Sequence, residues 1–312
     1  MKVFKGLIIK TTGSAYHVLL DDGQTVEAFV KGNFRIRGIR STNPVAVGDR
    51  VEVERQADGT NWITAIDDRR NYIIRRSTNL SRQSHILAAN VDQVALVVTV
   101  SHPVTSTTFV DRVLATCEAY RVPVLLVFNK IDLLSDAGQQ ELEALHSLYG
   151  SLGYDTLALS ATAASAEQHK ALEDRLRGRT TLLSGNSGVG KSTLLNMLFG
   201  EELAKTAAIS DVHDQGRHTT TFSEMYFLDP DTRIIDTPGI RGFGTFDFGR
   251  EEVSHYFREI FTTGRQCRFS DCTHTDEPGC AVLDAVEKGA IALSRYESYL
   301  SLLGDVTENK YR

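Results

Sequence analysis

Residues 185–192 read Gly-Asn-Ser-Gly-Val-Gly-Lys-Ser, the pattern of a phosphate-binding P-loop. An apolar run, Thr180–Ser184, precedes the pattern, and a helical stretch, Thr193–Phe199, follows it. Glycines at these positions let backbone amides close around phosphates, while Lys191 reaches the β- and γ-phosphates and Ser192 ligates Mg²⁺. We therefore expect a nucleotide site that contains Gly185, Asn186, Ser187, Gly188, Val189, Gly190, Lys191, Ser192 and Thr193.

The P-loop lies in a region where apolar runs alternate with helical stretches, which is typical of a doubly wound α/β domain. The predicted strands are Val91–Val100, Val122–Phe128, Leu157–Leu159, Thr180–Ser184, Phe222–Leu228 and Arg233–Asp236, with helices over Phe109–Tyr120, Glu141–Leu148, Ala164–Leu176 and Thr193–Phe199. Ligands of such sheets bind beyond the carboxyl ends of the strands. Motifs that follow the other strands should therefore meet the P-loop.

Two motifs follow strands in this way. Asp236-Thr-Pro-Gly239 comes after Ile234-Ile235, so its aspartate can hold Mg²⁺ through water and Gly239 can offer its amide to a γ-phosphate. Asn129-Lys130-Ile131-Asp132 ends another strand, and Asp132 can accept hydrogen bonds from N1 and N2 of guanine. Adenine lacks that donor pair and would leave the carboxylate unpaired, so the motif predicts GTP rather than ATP.

The order of these motifs is unusual. They resemble those of the translation-factor-type GTPases, in which base recognition follows the P-loop. Here Asn129, Lys130 and Asp132 precede it, as does Ser160-Ala161, a pair at a further strand end that suits a supporting contact to the base. When the two chain termini of a domain lie close together, they can be joined and the chain can begin at a different loop without changing the sheet. A permuted order of motifs therefore leaves the site intact.

The stretch Gly216-Arg-His-Thr-Thr-Thr221 resembles a switch I segment. Either Thr219 or Thr220 is then the threonine that senses Mg²⁺. Many GTPases carry a glutamine directly after the Asp-x-x-Gly glycine, where it orients the attacking water, but this chain has Ile240 there. His218 could supply the missing group, or it could simply pack or face solvent. The catalytic candidates are therefore His218, Thr219, Thr220 and Gly239.

The N-terminal part has the pattern of a small barrel. Short strands are predicted over Leu7–Lys10, Ala15–Leu20, Thr25–Val30, Arg50–Glu54 and Asn61–Ile66, with Asp-Gly turns at 22–23 and 58–59. Five short strands fit an OB-fold, which commonly binds nucleic acid. The loop Lys31 to Arg40 carries Arg35, Arg37 and Phe34, a mixture of cations and an aromatic ring that suits RNA. A solvated loop without a ligand is the alternative.

Charge supports the RNA interpretation. The chain has a net charge of −6, yet residues 1–80 carry 13 Lys+Arg against 9 Asp+Glu, which leaves −10 for the rest. A basic N-terminal region in an otherwise acidic chain favours a polyanionic partner. The alternative is that the surface charge is merely unevenly distributed. No stretch approaches the roughly 20 apolar residues of a membrane span, and none has the pattern of a signal peptide, so we expect a cytoplasmic protein without a membrane partner.

Three of the four cysteines lie close together, in Cys267-x4-Cys272-x-His274-x5-Cys280. In a cytosolic chain such a cluster favours a metal over disulfides, and three thiolates with one imidazole are the ligands of a closed tetrahedral zinc site. One structural Zn²⁺ per chain is the prediction, and free buried cysteines are the alternative. Cys117 stands apart in a helical run, where we expect it to fill the core.

Together the barrel, the permuted motifs and the Cys-x4-Cys-x-His-x5-Cys pattern resemble the bacterial ribosome small-subunit-dependent GTPase A family. The resemblance covers nearly the whole chain and includes Ala88-Ala-Asn-Val-Asp92. It implies a GTPase with GTP/GDP and Mg²⁺ that binds the small ribosomal subunit and its 16S rRNA late in maturation, stimulated by the subunit. The expected domains are an OB-fold RNA-binding barrel (1–70), a circularly permuted GTPase domain (71–244) and a helical zinc-binding domain (245–312), in a monomer.

Two other functions fit some of these features. In an RNA-binding assembly protein, GTP would be a bound structural ligand that is not turned over. A metal-delivery GTPase would pass zinc onward through its cysteines, which requires a labile, solvent-open metal. Four ligands within fourteen residues favour a closed site instead.

Overall fold

The N-terminal region is a closed barrel. The computed structural model describes residues 2–30, 44–76, 84–200, 223–237 and 248–309. Its first strands are β1 (Lys2–Thr11), β2 (Tyr16–Leu20), β3 (Thr25–Val30), β4 (Arg50–Arg55) and β5 (Asn61–Ile66). They pair in the order β1-β2-β3-β5-β4, and β4 pairs back onto β1. The predicted OB-fold is confirmed, while the loop Lys31 to Arg40 lies outside the described residues.

A hairpin that the sequence analysis missed follows the barrel. Its strands, β6 (Tyr72–Arg76) and β7 (Ser84–Ala89), form a two-stranded antiparallel sheet. The amide of Ala89 donates to the carbonyl of Val47 over 2.9 Å, so the hairpin contacts the barrel directly. Gly48 has a φ of 94°, and a Cβ there would overlap the Ala89 carbonyl. Only glycine permits this close approach between the barrel and the hairpin.

The central sheet carries the nucleotide motifs. Its strands are β8 (Gln93–Val98), β9 (Val124–Phe128), β10 (Asp155–Ala158), β11 (Thr180–Ser184), β12 (Glu224–Phe227) and β13 (Arg233–Asp236). They lie in the order β10-β9-β8-β11-β13-β12, and the β12 pair with β13 is antiparallel. Helices α1 (Thr107–Ala119), α2 (Asp136–Ser151), α3 (Ala166–Leu176) and α4 (Lys191–Phe199) connect them. The sheet packs between two apolar clusters. The six predicted strands are confirmed, Thr180–Ser184 and Arg233–Asp236 with their predicted ends and the other four with shifted ends.

The barrel and the central sheet are continuous. Strand β1 pairs antiparallel with β12, with Lys10 opposite Glu224. The two side chains form an ion pair of 3.0 Å, and the amide of Thr11 donates to the carbonyl of Ser223 over 3.1 Å. Within the described residues this junction gives one sheet of 11 strands. The barrel therefore contacts the strand that begins just after the switch I segment.

The C-terminal region is helical. After a 3-10 turn at Val253–Tyr256 come α5 (Arg258–Gly264), α6 (Ala281–Glu287) and α7 (Leu293–Asn309). The 3-10 turn and the helix that follows it do not form one continuous helix, because Phe257 between them is extended with φ −115° and ψ 102°. That backbone lets the buried ring of Phe257 pack edge-on against Tyr299, with centroids 5.7 Å apart. None of the helices in the described parts of the chain is long and apolar enough to cross a membrane.

Candidate nucleotide site and metal centre

The P-loop connects β11 to α4 in the predicted strand–loop–helix arrangement. Helix α4 begins at Lys191, directly after Gly190, which has a φ of 97°. A Cβ on Gly185 would overlap the carbonyl of Val97, and one on Gly190 would overlap the Asn129 amide. Gly185 therefore lets the loop contact β8 closely, and Gly190 lets it contact Asn129 closely. Free amides at the start of α4 can then face a phosphate.

Lys191 is held inside the loop. Its Nζ donates hydrogen bonds to the carbonyls of Gly185 (2.7 Å) and Asn186 (2.8 Å). Burial lowers the pKa of Lys191, an effect that the Asp236 carboxylate partly offsets. The ammonium thus already lies at the mouth of the P-loop, where phosphate oxygens can replace the two carbonyls as partners.

Asp236 lies at the end of β13, beside the end of β11, where it is in register with Leu183. Its Oδ1 is buried and has no hydrogen-bond partner among the described residues, and the same holds for Ser184 Oγ and Thr237 Oγ1. Burial raises the pKa of Asp236, and Lys191 opposes that rise. Buried oxygens without partners are costly unless a cation or donor meets them. The Asp236 carboxylate is of the kind that Mg²⁺ takes, since this ion prefers oxygen ligands.

Asn129 ties the base-recognition segment to its neighbours. Its side chain is buried; Nδ2 donates to the carbonyl of Val189 over 2.9 Å, and Oδ1 accepts from the amide of Ala161 over 2.9 Å. One amide side chain therefore connects the P-loop, the strand end after β9 and the Ser160-Ala161 pair. Ser160 is also buried, and its Oγ lies 3.1 Å from Thr162 Oγ1.

Lys130 makes a second connection. Its Nζ donates to the carbonyls of His102 and Gly188, each over 2.7 Å. Asp132 is exposed in the 3-10 turn Ile131–Leu133, where its carboxylate is open to a ligand. The structure thus brings residues 129–132, 160–161, 185–193 and 236 to one edge of the sheet. The hydrogen bond from Lys130 to His102 was not predicted, because every residue has a main-chain carbonyl and the residue type therefore does not indicate which one is used.

The remaining nucleotide-site candidates are His218, Thr219, Thr220 and Gly239. They lie outside the described residues, as does Ile240. Their roles remain predictions.

The four clustered ligands of the C-terminal region converge on one point. The ligand atoms of Cys267, Cys272, His274 and Cys280 all lie within 4.8 Å of one another. Nδ1 of His274 is 3.5 Å from both Cys267 Sγ and Cys280 Sγ, and these two sulfurs are 3.9 Å apart. Zinc bonded tetrahedrally at about 2.3 Å to sulfur and about 2.0 Å to nitrogen requires S···S edges of about 3.8 Å and S···N edges of about 3.5 Å. The residues therefore fit zinc.

Two tyrosines of α7 hold the ligand loop in place. Tyr296 donates from its hydroxyl to the carbonyl of His274 over 2.7 Å, and Tyr299 donates to the carbonyl of Thr273 over 2.6 Å. Glu277 accepts from the amides of Thr273 and Thr275.

The fourth cysteine, Cys117, is fully buried, and burial raises the pKa of its thiol, which confirms its expected place in the core.

Comparison with known proteins identifies the family. A profile described as RsgA GTPase matches residues 66–246, and one described as RsgA N-terminal domain matches residues 5–63. The small ribosomal subunit biogenesis GTPase RsgA of Bacteroides fragilis is 58% identical over 308 residues, which cover 99% of each chain. The chain belongs to the RsgA GTPase family. An RsgA of Porphyromonas gingivalis is 53% identical, with 98% of each chain covered.

Solved structures agree with this RsgA assignment. YjeQ from Thermotoga maritima is similar with a TM-score of 0.74 at 32% identity, covering 98% of this chain and 99% of that one. YloQ, whose structure is described as a circularly permuted GTPase, gives a TM-score of 0.69 at 28% identity over 100% of this chain and 97% of that one. The permuted order predicted from the motifs is confirmed. This RsgA family member hydrolyses GTP, and its family implies a guanine nucleotide.

Proposed function

We propose that this RsgA family member binds the small ribosomal subunit through its 16S rRNA, acts late in maturation of the subunit, and is stimulated by it to hydrolyse GTP. The observation that carries the proposal is full-length similarity to proteins named small ribosomal subunit biogenesis GTPase, at 53–58% identity. The protein works as a cytoplasmic monomer without a membrane partner.

The nucleotide binds at the edge of the sheet where the predicted motifs meet. Residues 185–193 and the start of α4 surround the phosphates, and Lys191 exchanges its carbonyl partners for β- and γ-phosphate oxygens. Asp132 reads N1 and N2 of guanine, while Asn129, Lys130, Ser160 and Ala161 fix the shape of the base pocket. The support is that the connecting hydrogen bonds are already formed, so little ordering is needed when GTP binds.

Asp236 and Ser192 hold Mg²⁺, together with Thr219 or Thr220. The partnerless Oδ1 of Asp236 supports this assignment, because a buried carboxylate oxygen is costly until a cation or a hydrogen-bond donor meets it. When bound, the ion neutralises charge that develops on the phosphate oxygens. Gly239 offers its amide to the γ-phosphate.

One structural zinc ion joins Cys267, Cys272, His274 and Cys280. All four tetrahedral positions are taken by side chains, so the metal contributes to folding and leaves no position for a substrate. Function then divides among three domains: residues 1–70 bind RNA, residues 71–244 bind and hydrolyse GTP, and residues 245–312 form the zinc-binding domain.

A turnover assay tests the proposal. GTP hydrolysis is measured for the protein alone and with purified small subunits, large subunits or free RNA, with ATP as the control nucleotide. We expect small subunits to raise GTP turnover at least tenfold and large subunits to raise it far less. Equal stimulation by all three additions would contradict the subunit assignment, and no turnover in any of them would favour GTP as a structural ligand.

A further inference from the structure

The loop between β8 and α1, residues 99–105, lies against the nucleotide site although it belongs to none of the recognised motifs. From it, the His102 carbonyl accepts a hydrogen bond from Lys130 Nζ over 2.7 Å. Lys130 Nζ also donates to the P-loop carbonyl of Gly188, and Pro103 lies against that glycine, with Cδ 3.5 Å from the place of a Cβ. This 99–105 loop therefore contacts the base pocket and the P-loop at once.

Two buried threonines close the 99–105 loop. The amide of Thr105 donates to the carbonyl of Thr99 over 2.9 Å, and Thr105 Oγ1 accepts from the amide of Thr99 over 3.1 Å. Thr99 Oγ1 donates to the carbonyl of Pro103 over 2.5 Å. Both threonines are at least nine-tenths buried, so each of these polar groups depends on a partner inside the loop.

The His102 carbonyl belongs to the segment that this closure encloses. His102 has a φ of 54°, a left-handed conformation that is uncommon for residues other than glycine. The Thr99–Thr105 pair holds together the two ends of the loop that contains His102. Because Lys130 directly precedes the turn that carries Asp132, the placement of its ammonium also affects the base-recognition segment.

We propose that Thr105 is a positioning residue for guanine-nucleotide binding, acting through the His102 carbonyl on Lys130. The proposal rests on the proposed nucleotide site. It makes the 99–105 loop a determinant of nucleotide affinity, because Lys130, the side chain that the loop contacts, directly precedes the turn that carries Asp132. Loss of the Thr105 hydroxyl would leave the Thr99 amide without its partner and release the His102 carbonyl from Lys130.

The test uses the full-length protein with the variants Thr105→Val, Thr105→Ser and Thr107→Val, the last as a control at a half-buried threonine two residues away. Kd for GDP is measured by fluorescence, and kcat is measured at saturating GTP with small subunits. We expect Thr105→Val to raise Kd about tenfold with kcat unchanged. Thr105→Ser keeps the hydroxyl and should stay within twofold of the original protein, as should Thr107→Val.

A double-variant cycle separates positioning from general damage. If Thr105 acts through Lys130, then Thr105→Val should add little to the loss caused by Lys130→Met. Full additivity, or a folded Thr105→Val protein that binds GDP as well as the original, would overturn the proposal. Failure of the original protein to prefer GTP over ATP would instead refute the nucleotide site itself, so the two failures are distinguishable. Melting temperatures of all variants identify any that fail to fold, and for a misfolded Thr105→Val the same cycle is run with Thr99→Val.

Discussion

Asp111 on α1 and Arg295 on α7 form a buried ion pair, with 2.7 Å between Oδ1 and Nη1. Both side chains are almost fully inaccessible to solvent. Arg295 also donates to both carboxylate oxygens of Glu259, and its guanidinium lies 4.7 Å from the ring centroid of Phe257. Burial alone would lower the pKa of Arg295, but the two carboxylates raise it above its ordinary value. The pair fixes the C-terminal helices to the central domain.

Removal of Arg295 should therefore cost much more stability than removal of a surface arginine. Arg295→Ala leaves two carboxylates buried without a cation, and we expect a loss of about 3–5 kcal/mol in the free energy of unfolding. Arg112→Ala is the control, because Arg112 pairs with the half-exposed Asp305 on the same helix interface and should cost at most about 1 kcal/mol. Urea unfolding curves measure both values. Equal losses would show that the buried pair has no special role in docking.

Nucleotide specificity should depend on Asp132. Asp132→Asn replaces a carboxylate by an amide, and xanthine carries a carbonyl where guanine has its exocyclic amine. We expect weaker GTP binding and a gain in binding of xanthosine triphosphate, measured by competition against a fluorescent nucleotide. Asp136→Asn, a change of the same kind at the exposed start of α2, should alter neither affinity. Equal affinity of the original protein for ATP and GTP would contradict the role of Asp132.

Zinc should co-purify at one equivalent per chain. Cys272→Ala removes one ligand, so we expect less zinc and a C-terminal region that proteases cut readily, while nucleotide binding persists. The mass of the protected fragment shows which region has opened. Cys117→Ala, which changes a buried cysteine outside the cluster, should keep its zinc. Metal analysis that finds no zinc in freshly purified protein would reject the site.

Subunit binding should weaken as salt rises, because the basic barrel displaces counterions from RNA. Deletion of residues 1–68 would also remove β1, the partner of β12, so substitutions give the cleaner experiment. Arg35→Gln with Arg37→Gln should reduce the salt slope by up to about 2 units, at roughly 0.9 for each lost phosphate contact, and leave GTP affinity intact. Arg177→Gln with Lys288→Gln removes two exposed cations elsewhere and should leave the slope unchanged.

Hydrolysis by the isolated protein should be slow, because Ile240 cannot orient a water as glutamine does. We expect small subunits to raise turnover at least tenfold, which corresponds to about 1.4 kcal/mol of barrier. If His218 acts in the stimulated state, His218→Ala should abolish most of the stimulation and keep GTP affinity within a few-fold. Unchanged stimulated turnover would exclude His218, and fast hydrolysis without subunits would contradict the idea that Ile240 leaves the site incomplete.

Sequence patterns were enough to predict the barrel, the central sheet, the order of the nucleotide motifs and the cysteine cluster. These features are local: a few contiguous residues set a P-loop or a turn, and alternation along one strand sets which face is buried. For that reason the strand Thr180–Ser184 was predicted with its observed ends. The roles of His218, Thr219, Thr220 and Gly239 remain predictions that rest on sequence alone.

Contacts between distant segments could not be predicted from the sequence and are known from the folded structure. Asn129 bonds to Val189, 60 positions along the chain, and Arg295 bonds to Asp111 across 184 positions. Lys130 donates a hydrogen bond to the main-chain carbonyl of His102. Phe257 has an extended backbone between two helical segments, and its ring is buried. Such contacts form because a buried polar group without a partner costs free energy, whereas burial of an aromatic ring is favourable. Which groups are buried together depends on the whole fold. Neither periodicity nor motif spacing encodes that choice.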